Sequence, residues 1–147
     1  MDNFLDTIYE WVENTESNID NALQTMVLLI GNSVVTLSPV DTGRFKGNWQ
    51  LTIGEMAGNS LVRYDPQGTA VLNEMARTVT QFTAGQIAYI QNHVLYGNDL
   101  EHGLYNGPTQ KVTEEGYSRQ APEGMVQITA SKFQKIVADA VRLSKEV

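Results

Sequence analysis

Few residues in this chain have the types and spacing for chemistry, and each set falls short of what its reaction needs. Asp41-Thr42-Gly43 is the tripeptide on which an aspartic protease places its catalytic carboxylate. That reaction uses two carboxylates sharing one proton, so it needs a second copy of the motif or a homodimer. The tripeptide occurs once, and Leu37-Ser38-Pro39 precedes it rather than a run of strand residues. The stronger reading makes Asp41 or Thr42 the cap of a short helix starting near Gly43, with the glycine freeing the turn. His93, Asp99, Glu101 and His102 form the one candidate metal cluster. The histidines lack the spacing of a helical zinc pair, and an oxygen-rich site takes more carboxylates than two. No serine sits in a G-x-S-x-G turn, and no glycine run has phosphate-loop spacing.

Composition narrows the field further. At 147 residues the chain can bury a core, and 41% apolar with 18% charged residues is ordinary for a folded protein. A net charge of −7 argues against gripping nucleic acid, which needs a basic surface, but not against lying beside it. Zero cysteines exclude disulfides, thiolate zinc sites and a cysteine nucleophile. Residues 1–4 show no start of a secretory signal, and no apolar run nears the ~20 residues of a membrane span. A soluble protein is expected.

The elements that must position these residues follow from periodicity. Apolar residues recur at helical steps through Phe4, Ile8, Val12, Ile19, Leu23, Met26, Ile30 and Val34, predicting one helix over residues 1–37 that Pro39 ends. Thirty-five helical residues would span ~52 Å, against a diameter near ~40 Å for a compact domain of this size. The helix therefore either kinks near Gly31 or overhangs onto a neighbouring subunit. In the second case Phe4, Tyr9 and Trp11 become interface anchors.

Residues 38–147 are expected to form an α+β body, the whole chain being one domain. Residues 48–53 alternate as a strand with Trp49, Leu51 and Ile53 on one face, and residues 61–64 read as its hairpin return. Thr69 is expected to cap a helix to about Phe82, with Val71, Leu72, Met75, Ala76 and Val79 buried. Residues 86–91 read as a third strand with Ile87, Tyr89 and Gln91 on one face. A short helix follows over residues 96–102, closed by Gly103. Residues 103–117 read as a long loop. A last helix runs from about Pro122, with Met125, Ile128, Phe133, Ile136, Val137, Ala140 and Val141 as its apolar stripe. The expected fold is a small antiparallel sheet packed by a long N-terminal, a middle and a C-terminal helix.

Against that layout, three motifs stand out together, the second of them in two parts. Pro39-Val40-Asp41-Thr42-Gly43-Arg44, after a long N-terminal helix, resembles the PVDTGR segment of the tail-component or tail-completion (neck) proteins of long-tailed double-stranded-DNA phages. Ile90 to Tyr96 resembles that family's strand-then-tyrosine element. Leu100-Glu101-His102-Gly103 resembles its LE.G element, and Gln120-Ala121-Pro122-Glu123-Gly124-Met125-Val126 its QAP.GMV element. The order and spacing agree over roughly residues 21–141, while residues 104–116 are longer and more acidic than the family pattern.

The resemblance implies a non-enzymatic virion protein at the head–tail junction, assembled in the host cytoplasm as a homo-oligomeric ring, six-fold by preference. It would contact head-connector and tail proteins, use no cofactor or metal and touch no membrane. Genome DNA would pass its channel without specific binding. Acidic residues such as Glu114 and Glu115 would line that channel, since negative walls let DNA slide. The motif residues Asp41, Thr42, Gly43, Arg44, Tyr96, Leu100, Glu101, Gly103, Gln120, Ala121, Pro122, Gly124 and Met125 would then shape assembly loops, with Arg44 and Glu101 as a candidate ion pair. A tail terminator capping the tube is the alternative in the same class. A hydrolase using Asp41, or a toxin- or host-binding module, are alternatives outside it.

Overall fold

The computed structural model describes residues 16–145. The first fifteen residues, with Phe4, Tyr9 and Trp11, lie outside the described residues, so the overhang expected of the N-terminal helix does too. Among the described residues the order is α1 (Glu16–Leu37), β1 (Trp49–Ile53), α2 (Thr69–Val79), β2 (Ala88–Asn92), α3 (Gly97–Glu101), α4 (Val126–Ser131) and α5 (Phe133–Lys145). The architecture is α+β, with helices packed on one two-stranded antiparallel sheet. No helix among the described residues is long and apolar enough to cross a membrane.

Helix α1 is the spine. One face, with Val27, Val34 and Val35, enters the main core beside Phe45, Trp49, Val71, Met75, Leu100 and Met125. Another, with Ala22, Ile19 and Met26, packs on Val137 and Val141 of α5. Two apolar faces on one helix explain why its sequence is apolar over more than a single stripe. α1 runs unbroken through Gly31, the position of a kink in one of the two expectations. The glycine serves close packing instead, since a Cβ there would lie 2.6 Å from the Met75 sulfur on α2.

The strand at residues 49–53 forms as expected, but its partner is not residues 61–64. β1 pairs antiparallel with β2, Trp49 opposite Asn92 and Ile53 opposite Ala88. Residues 61–65 instead run beside residues 43–49 and are held by side chains and a single backbone bond, from Asp65 to Gly43, rather than a ladder. Buried Asn48 accepts from the Leu61 amide at 2.6 Å and donates to the Arg44 carbonyl at 2.6 Å. Arg63 donates from Nε to the Gly47 carbonyl at 2.6 Å and from a terminal nitrogen to that of Trp49 at 3.1 Å. Its guanidinium also pairs with Glu74. Alternation over a few residues cannot tell a ladder from such side-chain bonding.

Other boundaries moved for identifiable reasons. α2 is capped by the buried Asp65 carboxylate, which accepts from the Val71 amide at 2.9 Å, not by Thr69, and it ends at Val79. Ala76 is exposed, and so is Ile87, which precedes β2. The last helix divides into α4 and α5 at Lys132, and Phe133 faces outward. Residues 103–119 are more ordered than a plain loop: Val112 and Ser118 form an antiparallel bridge, and Tyr105 donates to the Gly116 carbonyl at 2.9 Å. Glu114 and Glu115 stand exposed near its tip.

Candidate functional site

The first motif begins where α1 stops. Buried Ser38 donates to the Val34 carbonyl at 2.6 Å and accepts from the Trp49 indole nitrogen at 2.7 Å, tying the helix end to the first residue of β1. The chain then turns through Gly43 at φ +88°. A side chain here would be strained by that dihedral and would run into the Pro66 backbone. The Gly43 carbonyl accepts from Gly47 at 2.8 Å and Asp65 at 3.0 Å, so this one peptide anchors both neighbouring segments. Thr42 rather than Asp41 supplies the local side-chain contact, its hydroxyl accepting from the Arg44 amide at 3.3 Å. The helical turn it precedes is a 3-10 segment at Lys46–Asn48. Phe45 is buried, with its ring 5.8 Å from that of Trp49, edge-on, and 5.9 Å from that of Tyr96.

The second motif meets the third through Glu101. This carboxylate is only 8% exposed. One oxygen accepts from the Met125 and Val126 amides at 2.9 and 2.8 Å, the other from Gln127 at 2.9 Å. The first turn of a helix leaves such amides without partners, and a negative charge there is favoured. Glu101 is therefore the N-terminal cap of α4, supplied from another helix. This cap explains why α4 starts at Val126 and not at Pro122. It also rules out the expected ion pair with Arg44: the carboxylate is committed to three amides, Arg44 is exposed, and no ion pair joins the two. Gly124, at φ +76°, lets the chain pass over Glu101, where a Cβ would meet the carboxylate and the carbonyl at 3.0 Å.

The third motif meets the first through Gln120. Its side-chain amide accepts from the Val40 N–H at 2.8 Å and donates to the Val40 carbonyl at 2.9 Å, copying a strand pair across eighty residues of sequence. Ala121 and Met125 are almost fully buried in the main core with Leu100, whereas Pro122 is exposed. Gly103 at φ +71° ends α3 as expected.

Between the clamp and α3 lies an open cleft of about 370 Å³. Phe45 and Leu100 line it, Tyr96 and Tyr105 flank it, and Arg44, Lys111 and Arg119 surround it. Asp41 is the one carboxylate among the lining residues. The second carboxylate that an aspartic dyad requires is not among them. Burial pushes the Tyr96 phenol above its ordinary value, Arg44 opposes that shift, and Asp41, Tyr64 and Tyr105 add to it.

Thus the structure brings Asp41, Thr42, Gly43, Arg44, Tyr96, Leu100 and Gln120 to one cleft, and sets Glu101, Gly124 and Met125 behind it as its support. His93, Glu101 and His102 line one open pocket without Asp99, but no group of three or more such side chains placed to hold a metal ion occurs among the described residues. Sequence reasoning missed Lys111, Arg119 and Tyr105, which the loop excursion carries to the cleft; only the spacing of basic residues in an otherwise acidic stretch hinted at them. Compared with known protein families, with curated proteins and with solved structures, the chain matches none.

Proposed function

We propose that this chain is a non-catalytic structural subunit of a phage virion, a tail-completion (neck) protein at the head–tail junction that assembles as a ring and lets DNA pass. What supports the reading is the use made of the motif residues. Segments that resemble the neck family in order and spacing are spent on holding one another: Glu101 caps the helix that the third motif begins, and Gln120 clamps the turn of the first. Reactive use of Glu101 would forfeit three amide bonds, and Asp41 stands exposed beside a cation and a phenol. Such a shared scaffold displays loops, which suits a subunit whose work is contact with neighbours.

The test is to label the chain on particles made from its encoding genome, and to delete it. Label at the junction, with filled heads and finished tails that fail to join on deletion, is the expected result. Tails of uncontrolled length would instead assign the terminator role. Particles that lack the chain and remain whole without it refute both.

A further inference from the structure

The cleft carries a charge opposite to that of the chain. The protein has seventeen carboxylates to ten Lys and Arg, yet three cations and one carboxylate line this opening. Arg44, Lys111 and Arg119 are exposed, and among the described residues no ion pair engages them. Around them the cleft is apolar and aromatic: Phe45, Leu100, Tyr96 and Tyr105 line it, and Tyr96 is 43% exposed. Unpaired cations beside exposed tyrosines fit an acidic segment carrying an aromatic anchor.

The chain contains one such segment. Residues 1–15 hold Asp2, Asp6, Glu10 and Glu13, no Lys or Arg, and the aromatics Phe4, Tyr9 and Trp11. Pro39 and Val40, at the end of α1, line the cleft, so Glu16 at the helix's other end is ~33 Å away along the axis. The segment that precedes Glu16 is thus joined to the body far from its own cleft, and its acidic, aromatic composition complements the cations and tyrosines of a neighbour's. We propose that residues 9–13 of one copy dock in the cleft of a second copy, with Trp11 between Tyr96 and Tyr105, and Glu10 and Glu13 on Lys111, Arg119 and Arg44. Because seat and inserted segment are different surfaces, the contact is head-to-tail, the type that closes rings. The proposal rests on the self-association in the reading above, not on the particle.

A charge swap on the full chain tests it. Light scattering is read for the parent, for a cleft variant (K111E/R119E), for a segment variant (E10K/E13K) and for Trp11→Ala, with circular dichroism confirming the fold. If the cleft reversal does not fold, K111Q/R119Q takes its place. The parent should self-associate and weaken at raised salt. Each variant should associate at least about tenfold more weakly. An equimolar mixture of the cleft and segment reversals should regain most of the parent's association. The proposal is overturned by a monomeric parent, by variants that associate like the parent, or by a mixture no better than its components. A monomer in which the reversals shift Trp fluorescence would mean docking within one chain, and overturns it as well. Absence of the chain from particles would remove the neck reading while leaving this result standing.

Discussion

Replacing Glu101 separates a scaffold role from a surface one. Its carboxylate accepts three backbone N–H bonds, at Met125, Val126 and Gln127, across a separation of more than twenty residues. Hydrogen bonds to a charged group contribute ~1.5–3 kcal/mol each, and a buried amide left without a partner costs ~1–3 kcal/mol. The Met125 amide is buried, while those of Val126 and Gln127 are partly open and can recruit water. Glu101→Ala should therefore cost ~4 kcal/mol, below the sum of three full bonds. Glu101→Gln keeps the shape. Its carbonyl oxygen can serve Met125 and Val126, but its NH2 then faces the Gln127 N–H, donor against donor. That substitution should cost ~2 kcal/mol through one lost bond and the lost charge at the helix start. At roughly 3 °C per kcal/mol for a chain of this size, the losses are about 12 and 6 °C in thermal melts. Arg44→Glu is the control and should move the midpoint by no more than about 1–2 °C, within the usual range for an exposed side chain. The reasoning is refuted if Glu101→Ala melts with the parent, or if Arg44→Glu destabilises as strongly as Glu101→Gln.

Ser38→Ala leaves the Trp49 indole N–H buried without its acceptor, so it should cost ~1–3 kcal/mol in urea unfolding, and Trp49→Phe in that background should add little, the two being coupled through one bond. Gly31→Ala gains ~1 kcal/mol of helix propensity but drives a methyl toward Met75; a net loss of ~1–2 kcal/mol is expected, partly recovered by Met75→Val, and a net gain refutes close packing of α1 on α2. Tyr96 should ionise above its ordinary value in an absorbance titration, and Tyr96→Phe should remove that step. Arg44→Gln should move it higher still and Asp41→Asn lower. Because its folded value is the raised one, the neutral phenol's contribution to stability is complete below the ordinary value of ~10 and is lost as pH rises through the folded value above it.

The fold was legible wherever local pattern and burial agree. The spine ending before Pro39, the strand at Trp49, the helix over Thr69–Val79 and the short helix closed by Gly103 all carry their cause within a few residues. Sequence periodicity failed where a side chain from elsewhere did a backbone's work. Asn48 and Arg63 hold residues 61–65 in place without a ladder, so an alternating stretch was not a strand. Asp65 and Glu101 cap helices from outside the first turn, so the cap of one and the start of the other differ from expectation. Nothing in the neighbouring sequence distinguishes such a carboxylate from a solvated one.

The candidate site shows the same division at longer range. Its motif positions could be marked one by one, but their partnership depends on pairs far apart in sequence: Val40 with Gln120, Glu101 with Met125 and Phe45 with Tyr96. The expected Arg44–Glu101 pair went wrong because opposite charge suggested a partner, although burial had already committed one of the two. A buried carboxylate must be satisfied, and three amides of a helix start meet that need better than one flexible guanidinium. Arg44 is consequently left at the surface with Lys111 and Arg119, beside tyrosines that one helix and one loop excursion present. The interior arrangement thus bears on what the exterior offers: Glu101 is spent on the α4 amides, and the cleft is left with one carboxylate, Asp41, against three cations.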